Sequence, residues 1–390
     1  MLVSLALIFI LGLILSGAAK KIKLPGLLGM MAAGMILGPY CLKWLSPQLL
    51  DMSADLRRIA LVIILMRAGL SLDLDKLKKN GRPAVLLCFV PAMFEILGMV
   101  IFAPMFFDIT IAEAALMGSV IAAVSPAVIV PRMIKFIEEK RGTDKGIPQM
   151  ILAGASVDDV FVLVMFSSFT SLVESQSMSL IAFLKIPSSL LLGVLVGIVC
   201  GIVIGYIFKK IHMRDSAKVM CLLSLSFLLM ALEDVSKVPF SGLIAIMMCG
   251  VILLKKNTVQ AVRISDKFSK LWVAAEIILF SLVGAAIDPN YAVMYGIGAV
   301  VVILLALVFR MGGVALSVSG SSLNLKEKIF CCGSYIPKAT VQAAIGAIPL
   351  SMGLSCGELV LTVSVLAILI TAPLGAFLTD VLGKRCLNKE

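Results

Sequence analysis

The chain has 390 residues, of which 61% are hydrophobic and only 15% are charged, and its mean hydropathy is +1.10. Because soluble domains carry about a quarter charged residues, this composition excludes a water-soluble protein, and the net charge of +11 does not indicate a nucleic-acid partner. Repeated apolar stretches of about 20 residues, the length that crosses a hydrocarbon core, predict an all-α polytopic membrane protein.

Apolar spans between charged or turn-rich loops predict about 13 transmembrane helices. In chain order they cover 2–19, 24–41, 56–72, 83–107, 111–135, 147–172, 184–208, 217–233, 239–254, 269–288, 292–317, 326–349 and 356–380. The first span lacks preceding basic residues and runs into KKIK, so we interpret it as a membrane helix and not as a signal peptide. Pro83, Pro91 and Pro104 predict a kink in the fourth span.

Lysine and arginine gather in alternate loops, which hold 26 of the 34 basic residues. Basic residues favour the cytoplasmic side of a membrane. This asymmetry predicts an integral protein of the cell (inner) membrane, with the N-terminus outside and the C-terminus in the cytoplasm. The nine cysteines lack metal-ligand spacing and His212 is the one histidine, so we expect no cofactor and no histidine metal cluster.

The two halves of the chain resemble each other in three matched segments. PGLLGMMAAGMIL (25–37) matches SGLIAIMMCGVIL (241–253), LMRAGLSLD (65–73) matches FSLVGAAID (280–288), and GSVIAAVSPAVIV (118–130) matches GSYIPKATVQAAI (333–345). The three pairs share one offset along the chain to within a single position. Seven crossings separate equivalent helices, so the pattern predicts two six-helix inverted-topology repeats joined by a linker helix. Such repeats are typical of secondary transporters, which bind substrate near the middle of the membrane.

Few charged residues remain inside the predicted spans, where each is unfavourable unless it is paired or faces water. They are Arg67, Glu95, Asp158, Asp159, Glu276, Arg310 and Lys338. Glu95 and Arg310 lie one repeat offset apart, which predicts a core ion pair near the pseudo-two-fold axis. Arg67 and Glu276 lie close to helix ends, where a snorkelling or interface role is expected.

The segment GASVDDVFVLVMF (154–166) places two adjacent acids in an apolar helix. Consecutive side chains on a helix diverge by about 100°, so we expect one carboxylate to face a neighbouring helix, with Lys338 as its best cation, and the other to face a cavity. Two close carboxylates resist ionising together. Asp158 and Asp159 therefore predict a proton-binding site for which a small cation competes.

Two proline-containing segments predict crossing broken helices in the core. AAVSPAVIVP (122–131) contains Pro126 and Pro131, and its repeat counterpart IPKATVQAAIGAIP (336–349) contains Pro337, Gly346 and Pro349. Unwound carbonyls and half-helix ends can coordinate a cation. The residues predicted to line this site are Val124, Ser125, Pro126, Ser156, Pro337 and Thr340.

GASVDDV, VSPAVIVP and SYIPKATVQ, found among the predicted helices, resemble the monovalent cation:proton antiporter superfamily, and above all its NHA branch of sodium/proton antiporters. The resemblance covers essentially the whole chain. It implies a homodimer of elevator type, embedded in membrane lipid. Its dimer-domain helices would lie in 1–72 and 217–288, its core-domain helices in 83–172 and 292–380, and its linker helix at 184–208.

The resemblance also implies roles for individual residues. Asp159 matches the principal carboxylate that binds Na+ or Li+ and protons, Lys338 matches the charge partner of Asp158, and Glu95 with Arg310 matches a core charge pair. The exchange is implied to be electrogenic. Where the wider superfamily often has threonine and aspartate before the crossing proline, this chain has Val124 and Ser125, so cation preference and proton stoichiometry stay open.

Three alternatives remain at this level. A sodium-coupled symporter of an organic anion would need a larger polar cavity than the few polar residues of the spans suggest. An intramembrane enzyme of the DDxxD type would need a third acid where DDVFV has Val162. A channel would show no proton coupling.

Overall fold

The computed structural model describes residues 1–22, 24–72, 81–174, 180–235 and 240–389, and every regular element in this part is an α-helix. The helices are α1 (Leu2–Lys21), α2 (Gly26–Leu37), α3 (Pro47–Asp51), α4 (Ser53–Ser71), α5 (Gly81–Leu87), α6 (Val90–Phe106), α7 (Ile111–Ile121), α8 (Pro126–Glu138), α9 (Ile147–Glu174), α10 (Leu180–Lys210), α11 (Asp215–Val235), α12 (Gly242–Lys256), α13 (Thr258–Ala285), α14 (Pro289–Ser317), α15 (Leu325–Ser334), α16 (Thr340–Ile345), α17 (Ile348–Ser351) and α18 (Gly357–Cys386).

Nine helical spans in the described part of the chain are long and apolar enough to cross a membrane. Two of the nine combine consecutive helices, namely Gly81–Phe106 and Ile111–Glu138, and the apolar helices Gly26–Leu37 and Thr340–Ser351 are shorter. The prediction of an all-helical membrane protein is confirmed. The count of 13 helices and the repeat arrangement stay predictions.

The kink predicted in the fourth span is a break between α5 and α6. The two helices are separated by Cys88 and Phe89, and Pro91 lies in the first turn of α6. Pro104 lies inside α6, which continues to Phe106. A proline in the first turn removes an amide that has no helical partner in any case, so the interruption falls before Pro91.

The boundary predicted at residue 269 is wrong, because α13 already begins at Thr258. Ala261, Ile264, Phe268 and Trp272 are buried, and their spacing of three or four residues forms one apolar face of a helix. The lysines and arginines of this segment lie on the exposed face. The basic segment before residue 269, which the sequence predicts to be a loop, is therefore the start of an amphipathic helix.

Packing divides the described residues into two units. The first lies within Met1–Ala54, Asp75–Phe169 and Ile277–Glu390, and the second within Asp55–Leu74 and Thr170–Glu276. In the second unit, glycines at every fourth position of α10 lie against α12; they include Gly193, Gly197 and Gly201. Small residues at this spacing let membrane helices approach closely. The division into dimer and core domains stays a prediction.

In the first unit, α6 packs along α14 and thereby sets the distance between Glu95 and Arg310. Gly98 lies against the backbone of Ala306, and the rings of Phe102 and Phe309 meet edge to face with their centroids 5.6 Å apart. These contacts hold the two helices close together over the length that carries the charged side chains.

A matching close contact occurs in each unit. In the first, Gly284 lies against the backbone of Met31; in the second, Gly69 lies against the backbone of Met247. Gly284 follows Gly69 at the offset of the sequence repeat, and Met247 follows Met31 at the same offset to within one position. This correspondence supports the predicted equivalence of the two halves.

Gly34→Val is expected to lower the stability of the folded protein by about 1–3 kcal/mol, the usual cost of overpacking a close interface. A Cβ at Gly34 would overlap the backbone carbonyl of Ser281, which cannot move aside as a side chain could. The measurement is the thermal unfolding midpoint of the detergent-purified protein. Gly17→Val is the matched control, because no atom lies within 4 Å of a Cβ there. Equal midpoints for the two variants would contradict the prediction.

Candidate functional site

Two helix interruptions meet in the first unit. Residues 122–125 separate α7 from α8, and residues 335–339 separate α15 from α16. The amide of Ser125 donates a hydrogen bond of 2.8 Å to the carbonyl of Pro337, so the two unwound segments contact each other directly. The structure therefore brings the two predicted helix breaks together. We call the place where residues 122–125 meet residues 335–339 the crossing.

The prolines and the glycine of these segments do not all interrupt a helix. Pro126 opens α8 in its first turn, and Pro349 lies in the first turn of α17 after a turn at Gly346. Pro131 lies inside α8, which continues past it to Glu138. The expectation of a break at Pro131 is wrong, since the unwinding falls wholly before Pro126.

Each broken helix starts from a capping box whose glutamate also contacts the other half of the chain. Glu113, in the first turn of α7, accepts a hydrogen bond of 2.6 Å from the hydroxyl of Ser355. Glu327, in the first turn of α15, accepts bonds of 2.9 Å from Lys145 at both carboxylate oxygens. These contacts fix the start of each half-helix that leads into the crossing.

Arg310 is the centre of a buried charge network. Its side chain is 0% exposed; Nη1 lies 2.7 Å from Oε2 of Glu95, and Nη2 lies 3.0 Å from Oδ2 of Asp158. Nε donates to the carbonyl of Tyr335 at 2.8 Å, and Nη1 also donates to the carbonyl of Ala122. One guanidinium therefore pairs with two carboxylates and caps the C-terminal ends of both half-helices, α7 and α15.

The structure corrects the expected partner of Asp158. The ammonium of Lys338 lies 2.5 Å from Oε2 of Glu95, whereas the ion pair of Asp158 is with Arg310. Asp158 Oδ2 also accepts a bond of 2.8 Å from the amide of Val124. The rigid fork of an arginine can reach two carboxylates at once, and a lysine presents a single point charge. Arg310 consequently occupies the position next to Asp158 that was assigned to Lys338.

The two adjacent acids differ in environment. Asp158 is 0% exposed and Asp159 is 8% exposed. Asp158 is held by Val124 and Arg310 through one oxygen, while its Oδ1 has no hydrogen-bond partner among the described residues. Asp158 is thus fixed in the network, and Asp159 is the acid with the greater access to solvent.

Several residues that the sequence interpretation missed also hold the crossing. Gln342 donates from Nε2 to the carbonyls of Ile121, at 3.1 Å, and Ala123, at 2.9 Å. The hydroxyl of Thr371 accepts a bond of 2.9 Å from the amide of Lys338. A detectable signal existed for Gln342, since it is a polar residue in an apolar span four positions after Lys338. Thr371 is distant in sequence and gave no such signal.

Two hydroxyl groups at the crossing lack hydrogen-bond partners within the described part of the chain. Ser125 and Thr340 are each 1% exposed, and neither Ser125 Oγ nor Thr340 Oγ1 is bonded. They stand one repeat offset apart, one at the start of each second half-helix. Ser156, also predicted to line the site, donates its hydroxyl to a carbonyl one turn earlier in α9. A buried polar atom without a partner is costly, which marks these two hydroxyls as candidate ligands.

Arg67 and Glu276 belong to the second unit, whereas the crossing belongs to the first. The guanidinium carbon of Arg67 is 5.6 Å from the ring centroid of Trp272, which is a cation–π distance. This geometry gives Arg67 an aromatic contact within its own unit.

Two broken helices that cross beside buried charges, in a chain of apolar helices, define a secondary transporter. A family model described as sodium/hydrogen exchanger, transmembrane, matches residues 5–383. The chain therefore belongs to the sodium/hydrogen exchanger family, whose members are integral membrane transporters. It is not an enzyme, and the intramembrane-enzyme alternative is excluded.

The relatives support the same assignment. The chain is similar to the human sodium/hydrogen exchanger 9B2, with 32% identity over 389 residues that cover 94% of this chain and 70% of that protein. It is similar to the mouse sodium/hydrogen exchanger 9B1, with 33% identity over 379 residues that cover 94% of this chain and 67% of that protein. The sodium proton antiporter MjNhaP1 from Methanocaldococcus jannaschii, at 19% identity, has the same fold, with a TM-score of 0.83 over 98% of this chain and 97% of that chain.

Proposed function

We propose that this chain exchanges sodium or lithium ions for protons, and that both compete for Asp158 and Asp159 beside the helix crossing. The observation that carries the proposal is the hydrogen bond between Asp158 and the unwound segment 122–125, beside which hydroxyl and carboxylate oxygens lack donors among the described residues. Family membership and the relatives' names support sodium and protons as the substrates.

The proposed ligands are side-chain oxygens. The carbonyls of residues 121–123 already accept hydrogen bonds from Gln342 and Arg310. In the described part of the chain, the acceptors that remain without donors include Asp158 Oδ1, Ser125 Oγ and Thr340 Oγ1. Carboxylate and hydroxyl oxygens are hard ligands that suit small hard cations. Asp159, as the more accessible acid, is proposed as the principal binding carboxylate, and Asp158 as the fixed one.

The formal charges at the crossing support competition between one cation and one proton at Asp159. Arg310 and Lys338 balance Glu95 and Asp158, so an ionised Asp159 gives these five side chains a net charge of −1 in sum. A net charge in a low-dielectric core opposes movement through the membrane. Binding of a cation or a proton neutralises Asp159, and we propose that the core moves only when one or the other is bound there.

The wider mechanism is also a proposal. The core helices within 83–172 and 292–380 would move as an elevator against a homodimeric scaffold within 1–72 and 217–288, in a lipid membrane with the N-terminus outside. Electrogenic exchange moves more than one proton per cation. It therefore requires that a second member of the network, Asp158 or Lys338, also exchange a proton during the cycle.

The proposed competition predicts a bell-shaped dependence of exchange on pH. At low pH protons occupy the carboxylates and exclude the cation, so the rate should rise as pH increases. At high pH the supply of protons for the return step limits the cycle, and the rate should fall again. Initial rates of sodium-driven proton movement, measured in proteoliposomes over a pH series, test this. A rate independent of pH would contradict competition at the acid pair.

The first test of the function uses purified protein in liposomes with an acidic interior and a pH-sensitive dye. Sodium, lithium and potassium chloride are added in turn, with protein-free liposomes as the control. Proton efflux driven by sodium or lithium is the expected result. Efflux without any added cation would indicate a channel. No efflux with any cation would contradict antiport and favour the sodium-coupled symporter.

A further inference from the structure

Gln342 occupies an unusual position at the crossing. It lies in α16, is 1% exposed, and donates from its amide nitrogen to two carbonyls of the other broken helix, those of Ile121 and Ala123. The last carbonyls of a helix lack partners within it and carry partial negative charge. Gln342 therefore occupies two oxygens that would otherwise be available at the end of α7.

The carbonyl between these two is occupied as well. Ala122 accepts hydrogen bonds from Arg310 and, at 3.5 Å, from Lys338. Three consecutive carbonyls thus accept from side chains, and the next amide, that of Val124, donates to Asp158 at 2.8 Å. The carbonyl oxygens blocked by Gln342 consequently belong to the same short segment that contacts the proposed ion-binding acid.

Gln342 differs from the other two donors because it is neutral. Removal of Arg310 or Lys338 would change both the charge of the site and the number of free carbonyls. Removal of the Gln342 amide leaves the charge of the site unchanged; it frees the two carbonyls and also removes Oε1, which has no hydrogen-bond partner among the described residues. Backbone carbonyls carry no net charge and can replace the hydration shell of potassium, whereas an ionised carboxylate attracts a small cation more strongly, because the two charges approach more closely.

We propose that Gln342 is a specificity-determining residue for the cation. By occupying the carbonyls of Ile121 and Ala123, it restricts the cation's ligands to side-chain oxygens, of which the carboxylates carry the charge, and so favours sodium and lithium over potassium. This inference rests on the proposed antiport at Asp158 and Asp159 and extends it to the choice of ion.

The test compares Gln342→Met, which keeps the length of the side chain and removes the donors, with the wild type. Apparent KM values for sodium, lithium and potassium are measured from cation-driven proton efflux in proteoliposomes. The potassium-to-sodium KM ratio is expected to fall roughly tenfold, because a tenfold change in affinity corresponds to the net free energy of about one hydrogen bond. Gln149→Met is the matched control, an amide removed from the first turn of α9, and should leave the ratio unchanged.

A second variant and a second measurement keep the inference testable if Gln342→Met folds poorly. Gln342→Asn keeps the amide but shortens it by one methylene, so it should shift the ratio in the same direction. Stabilisation of each purified variant by potassium, measured as a change in unfolding midpoint, reports binding without transport. A ratio within about twofold of wild type in both variants, or the same shift in Gln149→Met, would overturn the inference. Failure of the wild type to move protons with any cation would instead overturn the proposed function.

Discussion

Asp159→Asn is expected to reduce cation-driven proton movement to the level of protein-free liposomes. The amide cannot bind a proton in exchange for a cation, and it removes the one negative charge that the proposed cycle neutralises. Asp159 is 8% exposed, and asparagine has nearly the same shape as aspartate, so the substitution should fit without disturbing the fold. The measurement is dye-reported proton efflux after addition of sodium or lithium.

The control for Asp159→Asn is Asp144→Asn, which removes a carboxylate from the exposed loop between α8 and α9 and should leave transport unchanged. Asp158→Asn is expected to act differently, because it leaves Arg310 with a single carboxylate partner and should also lower stability. Wild-type rates in a correctly folded Asp159→Asn protein would show that this acid does not carry the exchanged ion.

Arg310→Met is expected to destabilise the folded protein by about 3–5 kcal/mol, the cost of removing one partner from a buried ion pair. It leaves Glu95 and Asp158 with fewer compensating donors, and it uncaps the carbonyls of Ala122 and Tyr335. The measurement is the thermal unfolding midpoint in detergent, followed with and without lithium. Arg310→Lys should restore only part of the loss, since one ammonium cannot form the same set of bonds.

Arg132→Met provides the comparison for Arg310→Met. Arg132 pairs with Asp380 at 3.2 Å, but 47% of the Asp380 side chain is exposed, and ion pairs of this kind contribute about 0–1 kcal/mol. The Arg310 variant should therefore unfold at a clearly lower temperature than the Arg132 variant. Similar midpoints would mean that the buried network does not stabilise the crossing.

Most of the helical organisation could be predicted because it depends on local chemistry. Apolar spans of membrane length, and Pro126 and Pro337 in matching segments of the two halves, identify the helices and their interruptions from sequence. The repeat offset selected Glu95 and Arg310 as facing positions, and the structure places their side chains 2.7 Å apart. The start of α13 could not be placed, because a basic amphipathic helix and a basic loop have similar composition.

The class of membrane protein, the acid pair, the two broken helices and the resemblance to cation:proton antiporters all follow from the order of residues in the chain. How the buried charges are shared depends on three-dimensional packing. The packing of α6 against α14 brings Arg310 to Glu95, and the same guanidinium reaches Asp158 on α9, while Lys338 contacts Glu95. Spacing along the chain tells which residues share a helix, but the partner of a buried charge depends on the distance between helices and on the reach of each donor.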